Sequence, residues 1–413
     1  MGRTEDNYSL PNHWPMMSSL HYLAGYKKPF VFDPKATAKK EAAAIKADRE
    51  NAIYGGLNRT LRDAPHVGRK ELLAELLRYH RDSRERVPSF QQYPEAKFWV
   101  DYTLTLEKEL QRMAGLSEEE LAIVKSLGAY LTFRGFRRAG LKPGPSRQTE
   151  KCRIAFLVDS DEGPMTVKNV DDPLASDWHP MPPLPTSLPA SEFFWDQVNW
   201  VADGVGSGLH IDDEPEQLFP LPVFTMCGQH AETTREVVDF LRRYSQFWGG
   251  GNVVVYDKSF DVVAIEKTSR NFFQPYELTN GQTHVSGMAC RDPNSPQGKY
   301  QRARRDEYRL LYGLPEDGPD QTFWRVCDRQ EQSLARGLNG LGKPPCAADL
   351  IKLFRTPYPD GLCKTGKKVH PAQPVGEYTQ VIYAIFFARR QYRRFRLDAK
   401  ATMASEPEIC QFG

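Results

Sequence analysis

The stretch from Cys152 to Asp171 narrows the choice of fold more than any other part of this chain. It reads Cys152-Arg-Ile-Ala-Phe-Leu-Val158, then Asp159-Ser-Asp-Glu-Gly163, then Pro164-Met-Thr-Val-Lys168-Asn169-Val170-Asp171. An apolar β-branched run, an acidic turn containing glycine and a second short apolar run specify two antiparallel strands. With the turn centred on Asp161 and Glu162, Cys152 falls opposite Lys168 to Asp171. A sulfur then stands beside an ammonium, an amide and a carboxylate, a setting that stabilises a thiolate and positions an amide bond against it. The competing reading of the same residues is a small buried cysteine at a strand start, with Lys-Asn-x-Asp-Asp-Pro as the strand exit. Lys168 and Asp171 are three apart and point to opposite faces of a flat strand. Both reach Cys152 only where the strand bends or ends near Val170.

The segments that follow keep a definite order. Thr233-Thr-Arg-Glu236 has capping-box spacing, and Val237, Val238, Phe240, Leu241, Tyr244 and Phe247 mark one apolar helix face ending at Trp248-Gly-Gly-Gly251. Two strands come next, Asn252 to Asp257 and Val262 to Glu266, then a later strand from Thr283 to Ala289. A basic helix, Tyr300 to Leu311, follows, and Tyr378 to Phe387 with Tyr392 to Leu397 form a closing hairpin.

The spacing from Cys152 to Lys168-Asn169-x-Asp171, followed by helix, glycine, paired strands, basic helix and closing hairpin, resembles the choloylglycine hydrolase and acyl-CoA:6-aminopenicillanate acyltransferase group. These are N-terminal-nucleophile (Ntn) hydrolases. The resemblance runs from Cys152 to about Leu397 and implies an α+β fold, a four-layer αββα sandwich in which two antiparallel sheets pack face to face. It places Cys152 as the nucleophile, Lys168 where the family carries arginine, and Asp171 at the aspartate that holds the amine. Asn169 belongs to the same motif. The sequence departs from the family at Lys151 and Arg153, which flank the cysteine in place of glycine and threonine. It departs again at Ser286-Gly287, where the family has Thr-Asn and the asparagine is an oxyanion donor.

The chemistry follows from ordinary acid–base properties. An α-amine with a pKa near ~8 is substantially neutral at cellular pH and can take a proton from an adjacent thiol. An internal cysteine has no such amine, so the Lys151–Cys152 bond has to be cut, with the Cys152 thiol attacking the Lys151 carbonyl. Amide hydrolysis or acyl transfer through an acyl-Cys152 intermediate is then expected, with no metal or organic cofactor. The substrate is a small acyl amide, peptide or thioester, with selectivity in loops such as Trp178 to Phe219.

Two other readings stand beside this one. His210-Ile-Asp212 has the spacing of an iron(II), 2-oxoglutarate oxygenase, with His284 as third ligand and Arg291 for the co-substrate carboxylate. The helix from Thr234 to Phe247 interrupts the continuous strands that such a fold requires. The loss of the Asn and Arg positions points instead to an Ntn-type core kept for binding, without turnover.

The first 150 residues differ in character. Helical patterns run from Ala36 to Tyr54, Arg69 to His80, Tyr93 to Met113 and Ser117 to Ala139, and Ser117-Glu-Glu-Glu120 is a second capping box. The breaker-rich stretch from Lys142 to Glu150 is a connector, so residues 1–150 are expected to form a helical pro-segment that stays docked after cleavage. Residues 151–400 then form the Ntn-like domain and 401–413 a tail. A formal net charge of +2 gives no case for nucleic acid or an anionic membrane as partner, and leaves homo-oligomer formation open. Seven scattered cysteines without a Cys-x-x-Cys pair argue against structural zinc and a disulfide scaffold. No signal-peptide core or membrane span is evident, and a reducing cytoplasm is the expected compartment.

Overall fold

In the computed structural model, the described residues are 33–63, 67–85, 93–133, 153–173, 187–188, 198–203, 221, 223–231, 233–247, 251–257, 262–269, 272–278, 283–286, 294, 299, 333–342, 344–358, 360–366, 377–397 and 402–412. They form a helical N-terminal part followed by two antiparallel-rich sheets with helices against them, an α+β arrangement.

The helical part contains α1 (Pro34–Ala47), α2 (Arg49–Asp63), α3 (Arg69–Glu85), α4 (Ala96–Ala114) and α5 (Glu118–Phe133). The stretch read as one helix from Ala36 to Tyr54 is two. Asp48 leaves helical geometry at φ −148°, closes α1 through its backbone N–H to Ala44, and accepts the Asn51 N–H at the start of α2. An aspartate can cap a new helix more readily than continue an old one. The capping box at Ser117 is formed, with Ser117 Oγ accepting from Glu120 N–H at 3.1 Å and Glu120 accepting from Ser117 N–H at 2.8 Å. Leu57, Leu72, Leu76, Tyr79, Leu110 and Tyr130 lie in the core of this bundle.

The larger sheet is built from β1 (Ile154–Leu157), β2 (Met165–Pro173), β3 (Ser187–Leu188), β8 (Thr283–Ser286), β9 (Glu377–Phe386), β10 (Gln391–Arg396) and β11 (Glu408–Phe412). Their order across the sheet is β3-β11-β10-β9-β2-β1-β8. All its pairings are antiparallel except β11 with β3. The smaller sheet runs β4 (Val198–Asp203), β5 (Gly251–Asp257), β6 (Val262–Ser269) and β7 (Phe272–Leu278), each antiparallel to the next. Pro275, which cannot donate to a ladder, sits in the edge strand β7.

Each sheet carries helices on one face. Residues 333–339 form α8, which joins α9 (Ala347–Arg355) against Ala155, Leu157, Met165, Val167, Ile382, Ala384 and Phe386 of the larger sheet. The opposite face is buried as well, through Phe156, Thr166, Lys168, Val381, Tyr383 and Ile385. A strand whose residues are buried on both faces reads as a continuous run rather than an alternation, as Ala155 to Val158 does.

Against the smaller sheet lie α6 (Val223–His230) and α7 (Thr234–Arg243), with a 3₁₀ turn over Ser245–Phe247. The Thr233–Glu236 capping box is formed in full. Helix α4 contributes to two cores. Ala96, Trp99 and Val100 pack with Val237, Phe240, Leu241 and Tyr244, while Leu106, Leu110 and Ala114 pack within the helical bundle. One helix therefore ties the N-terminal part to the smaller sheet. Among the described residues, no helix is long and apolar enough to cross a membrane.

Candidate active site at the β1–β2 hairpin

The hairpin turns where the sequence predicts. Leu157 pairs with Met165, and the connecting loop closes with Gly163 N–H donating to the Ser160 carbonyl at 2.9 Å. Gly163 adopts φ +83°, a left-handed conformation that favours glycine. Asp161 fixes the loop from outside, its carboxylate accepting the Ala347 N–H at the start of α9 at 2.8 Å.

At the open end of the hairpin, Ile154 lies opposite Lys168. One step further, Asn169 N–H donates to the Arg153 carbonyl at 3.1 Å. The return bond differs from a regular ladder: Arg153 N–H donates to the side-chain Oδ1 of Asn169 at 2.5 Å. Both residues are fully buried. The amide joining residues 152 and 153 is thus gripped by an asparagine side chain, where an ordinary strand pair would use the backbone carbonyl.

Cys152 itself and Lys151 lie outside the described residues. Lys168 is buried in β2, between Ile154 of β1 and Tyr383 of β9. Asp171 is placed by its backbone, opposite Thr379; its side chain is outside the described set. The β2–β9 ladder shifts register between Val170 and Asp171, leaving Gln380 as the extra residue of β9. Such a shift bends the strands and increases their twist, and it falls at the position where the sequence requires a bend.

Sequence reasoning missed the row that crosses the sheet at Lys168. Ser286, Ile154, Lys168, Tyr383, Arg394 and Glu408 are consecutive cross-strand partners. Lys168, Tyr383 and Arg394 are each at most 5 % exposed, so the charges sit in the interior. Arg394 Nε donates to Glu408 Oε2 at 2.6 Å, and Arg396 bridges the other oxygen of Glu408 at 3.0 Å. Tyr383 stacks on Tyr392 with ring centroids 5.2 Å apart. Burial, reinforced by the Tyr383 phenol and opposed by Arg394, holds the Tyr392 hydroxyl well above its usual pKa. The signal was a basic and aromatic alternation in Tyr392-Arg-Arg-Phe-Arg396, which also fits an exposed strand face.

Two of the described cysteines outside the hairpin, Cys227 and Cys410, are held as thiols. Cys227 in α6 is fully buried, and burial raises its thiol well above the normal range. Burial likewise pushes Cys410 in β11 up to about 11. Cys363 is buried and Cys346 half-buried. A thiol held protonated is a poor nucleophile.

For the alternative metal triad, His284 lies in β8 opposite Phe156. His210, Asp212 and Arg291 lie outside the described residues, as do the basic helix from Tyr300 to Leu311 and the connector from Lys142 to Glu150. No group of three His, Cys, Asp or Glu side chains suited to a metal ion occurs among the described residues.

No family model matches the chain, and no curated protein matches it. Among solved structures, a mutant of the conjugated bile acid hydrolase from Clostridium perfringens is similar at a TM-score of 0.32 and 12 % identity, covering 62 % of this chain and 91 % of that chain. A second variant of the same enzyme gives a TM-score of 0.28 and 13 % identity, covering 63 % and 84 %.

Proposed function

We propose that the chain is a cysteine-dependent amide hydrolase or acyltransferase of the Ntn type, activated by scission between Lys151 and Cys152. The observation that carries this reading is the register of the hairpin, in which Arg153 and Asn169 exchange hydrogen bonds. Continued one step, that register would set position 152 across from Val170, between Lys168 and Asp171. Strand alternation would direct the Cys152 side chain to the face shared by Ile154 and Lys168. The two sheets, each with helices on one face, are read as the halves of an αββα sandwich. Burial of both faces of the larger sheet supports this.

Scission starts with the Cys152 sulfur attacking the Lys151 carbonyl carbon. The amide nitrogen leaves as the α-amine of Cys152, and water then hydrolyses the resulting thioester. In the catalytic cycle the new α-amine takes the thiol proton, and the sulfur adds to the carbonyl carbon of the substrate amide. The leaving amine departs with that proton, giving acyl-Cys152. Water, or a second amine in a transfer reaction, releases the acyl group. Asp171 accepts a hydrogen bond from the α-amine, and Lys168 supplies positive charge near the sulfur. Asn169 fixes the amide just downstream and so limits rotation of the nucleophile. Transfer of this kind calls for no metal or organic cofactor. Substrates would be small acyl amides, peptides or thioesters, met in a reducing cytoplasm.

An acyl or β-lactam probe followed by peptide mass spectrometry tests this reading. The expected adduct is on Cys152 alone, absent in Cys152→Ala. Labelling that persists in Cys152→Ala at the same rate contradicts it.

A further inference from the structure

We propose that the contact between His80 and Ser126 is an acid-sensitive latch: when the imidazole takes up a proton, α3 parts from α5 and the inner apolar face of the helical bundle opens. His80 of α3 is 5 % exposed, and its Nδ1 lies 2.8 Å from Oγ of Ser126 in α5, itself fully buried. The contact belongs to a polar chain that crosses three helices. Ser83 Oγ donates to the His80 carbonyl at 2.9 Å and accepts from Arg84 Nη1 at 2.7 Å. Arg84 in turn holds both oxygens of Glu107 in α4, with Nε 3.1 Å from Oε2 and Nη2 on Oε1.

The neighbouring charges leave no place for a further proton. His80 and Arg84 are four apart on α3 and so share a face. The carboxylates of Glu107 and Glu118 act on the imidazole from α4 and α5, against Arg81 and Arg84 of its own helix. Each carboxylate is already committed: Glu107 to Arg84, and Glu118 to Arg81 through two bonds of 2.6 Å. Lys125, beside Ser126, is paired with Glu41 of α1, and α2 brings the Tyr54 ring to Arg69 at the opposite end of α3. A charged His80 therefore adds a second cation beside Arg84, in an interior where an uncompensated charge is strongly destabilising. The open arrangement, in which water reaches the imidazole, takes the proton instead. Parting of the two helices uncovers Leu76 and Tyr79 of α3 and Leu127 and Tyr130 of α5.

Amide hydrogen exchange of the full chain between pH 7 and 5, corrected for the intrinsic rate and read by peptide mass spectrometry, tests the latch. One proton taken up on opening lowers protection by up to about tenfold per pH unit below ~6.5. That fall is expected in residues 76–85 and 121–130 and not in α7, which packs on the smaller sheet. His80→Gln, which keeps a hydrogen-bonding side chain but takes no proton, is expected to hold its protection level over the same range. Level protection in the α3 and α5 peptides of the native chain overturns the proposal without recourse to a variant. An equal fall in α7, the mark of whole-chain unfolding, overturns it too. So does a fall in His80→Gln as steep as in the native chain, which assigns the proton to another group. None of these outcomes touches the role proposed for Cys152.

Discussion

Arg153 N–H donates to the Asn169 side-chain oxygen at 2.5 Å, one covalent bond downstream of Cys152. Asn169 is both a ladder residue and a clamp, because its own N–H returns a bond to the Arg153 carbonyl at 3.1 Å. Replacing it with leucine leaves a buried amide without its acceptor, a loss of about 1–3 kcal/mol. Asn169→Leu is expected to lower the unfolding free energy, read from urea titration, by that amount, and Asn169→Asp, which keeps an acceptor oxygen, to lose less. Equal losses for the two variants would mean that the clamp is not what stabilises the hairpin end.

The thiols of Cys227 and Cys410 are held protonated by burial. Native protein is therefore expected to leave both unmodified by iodoacetamide at pH 7.5, with modification appearing once urea unfolds the chain. Mapping modified peptides before and after unfolding checks this. Rapid native labelling at Cys410 would contradict a thiol displaced to about 11.

His80 in α3 is buried, with Nδ1 2.8 Å from Ser126 Oγ of α5. Burial depresses its pKa to about 4, and Arg84 and Arg81 on its own helix push the same way. Glu107 of α4 and Glu118 of α5 oppose them. The unfolded chain then binds the extra proton between the unfolded value near ~6.5 and the folded value, so the contribution is complete above ~6.5 and is lost as pH falls towards 4. Its size is on the order of 3 kcal/mol. Urea midpoints from pH 7 to 4.5 should fall in the native sequence and fall less in His80→Gln. Parallel curves for the two would refute the assignment.

Glu95 ties the helical part to α7. It pairs with Arg243 and accepts the Tyr244 hydroxyl at 2.7 Å, while Tyr93 packs on Tyr244 and Phe247 at 5.0 and 5.1 Å. Trp99 anchors the same contact from the interior. Trp99→Ala is expected to cost about 3–5 kcal/mol, and Tyr244→Phe about 1.5–3 kcal/mol for the bond to a carboxylate. If scission occurs, the upstream piece should co-elute with the downstream piece in gel filtration and separate first in Trp99→Ala. Retention of the piece in that variant at wild-type strength would show that the docking lies elsewhere.

The hairpin, the two capping boxes and the β9–β10 pair were legible because local chemistry determines them. Gly163 adopts a left-handed turn, Ser117 and Thr233 have a glutamate three residues on, and Arg389-Arg390 ends the apolar run of β9 before the aromatic and basic run of β10. Other elements depend on distant partners. Phe272–Leu278 contains Pro275 and becomes a strand because it finds an edge beside β6. Glu408–Phe412 lies in what reads as a tail, yet it pairs with β10 and extends the larger sheet. The Lys168–Tyr383–Arg394 row joins residues more than two hundred positions apart, and no local pattern announces it. Asp48 divides α1 from α2 by capping both, which periodicity alone does not register.

The intact mass of the purified full chain tests the central claim most directly. The account predicts two species whose masses place the break between Lys151 and Cys152, and a single unbroken species in Cys152→Ala. An unbroken native chain after prolonged incubation at neutral pH, or a Cys152→Ala chain cut at the same bond, would contradict it.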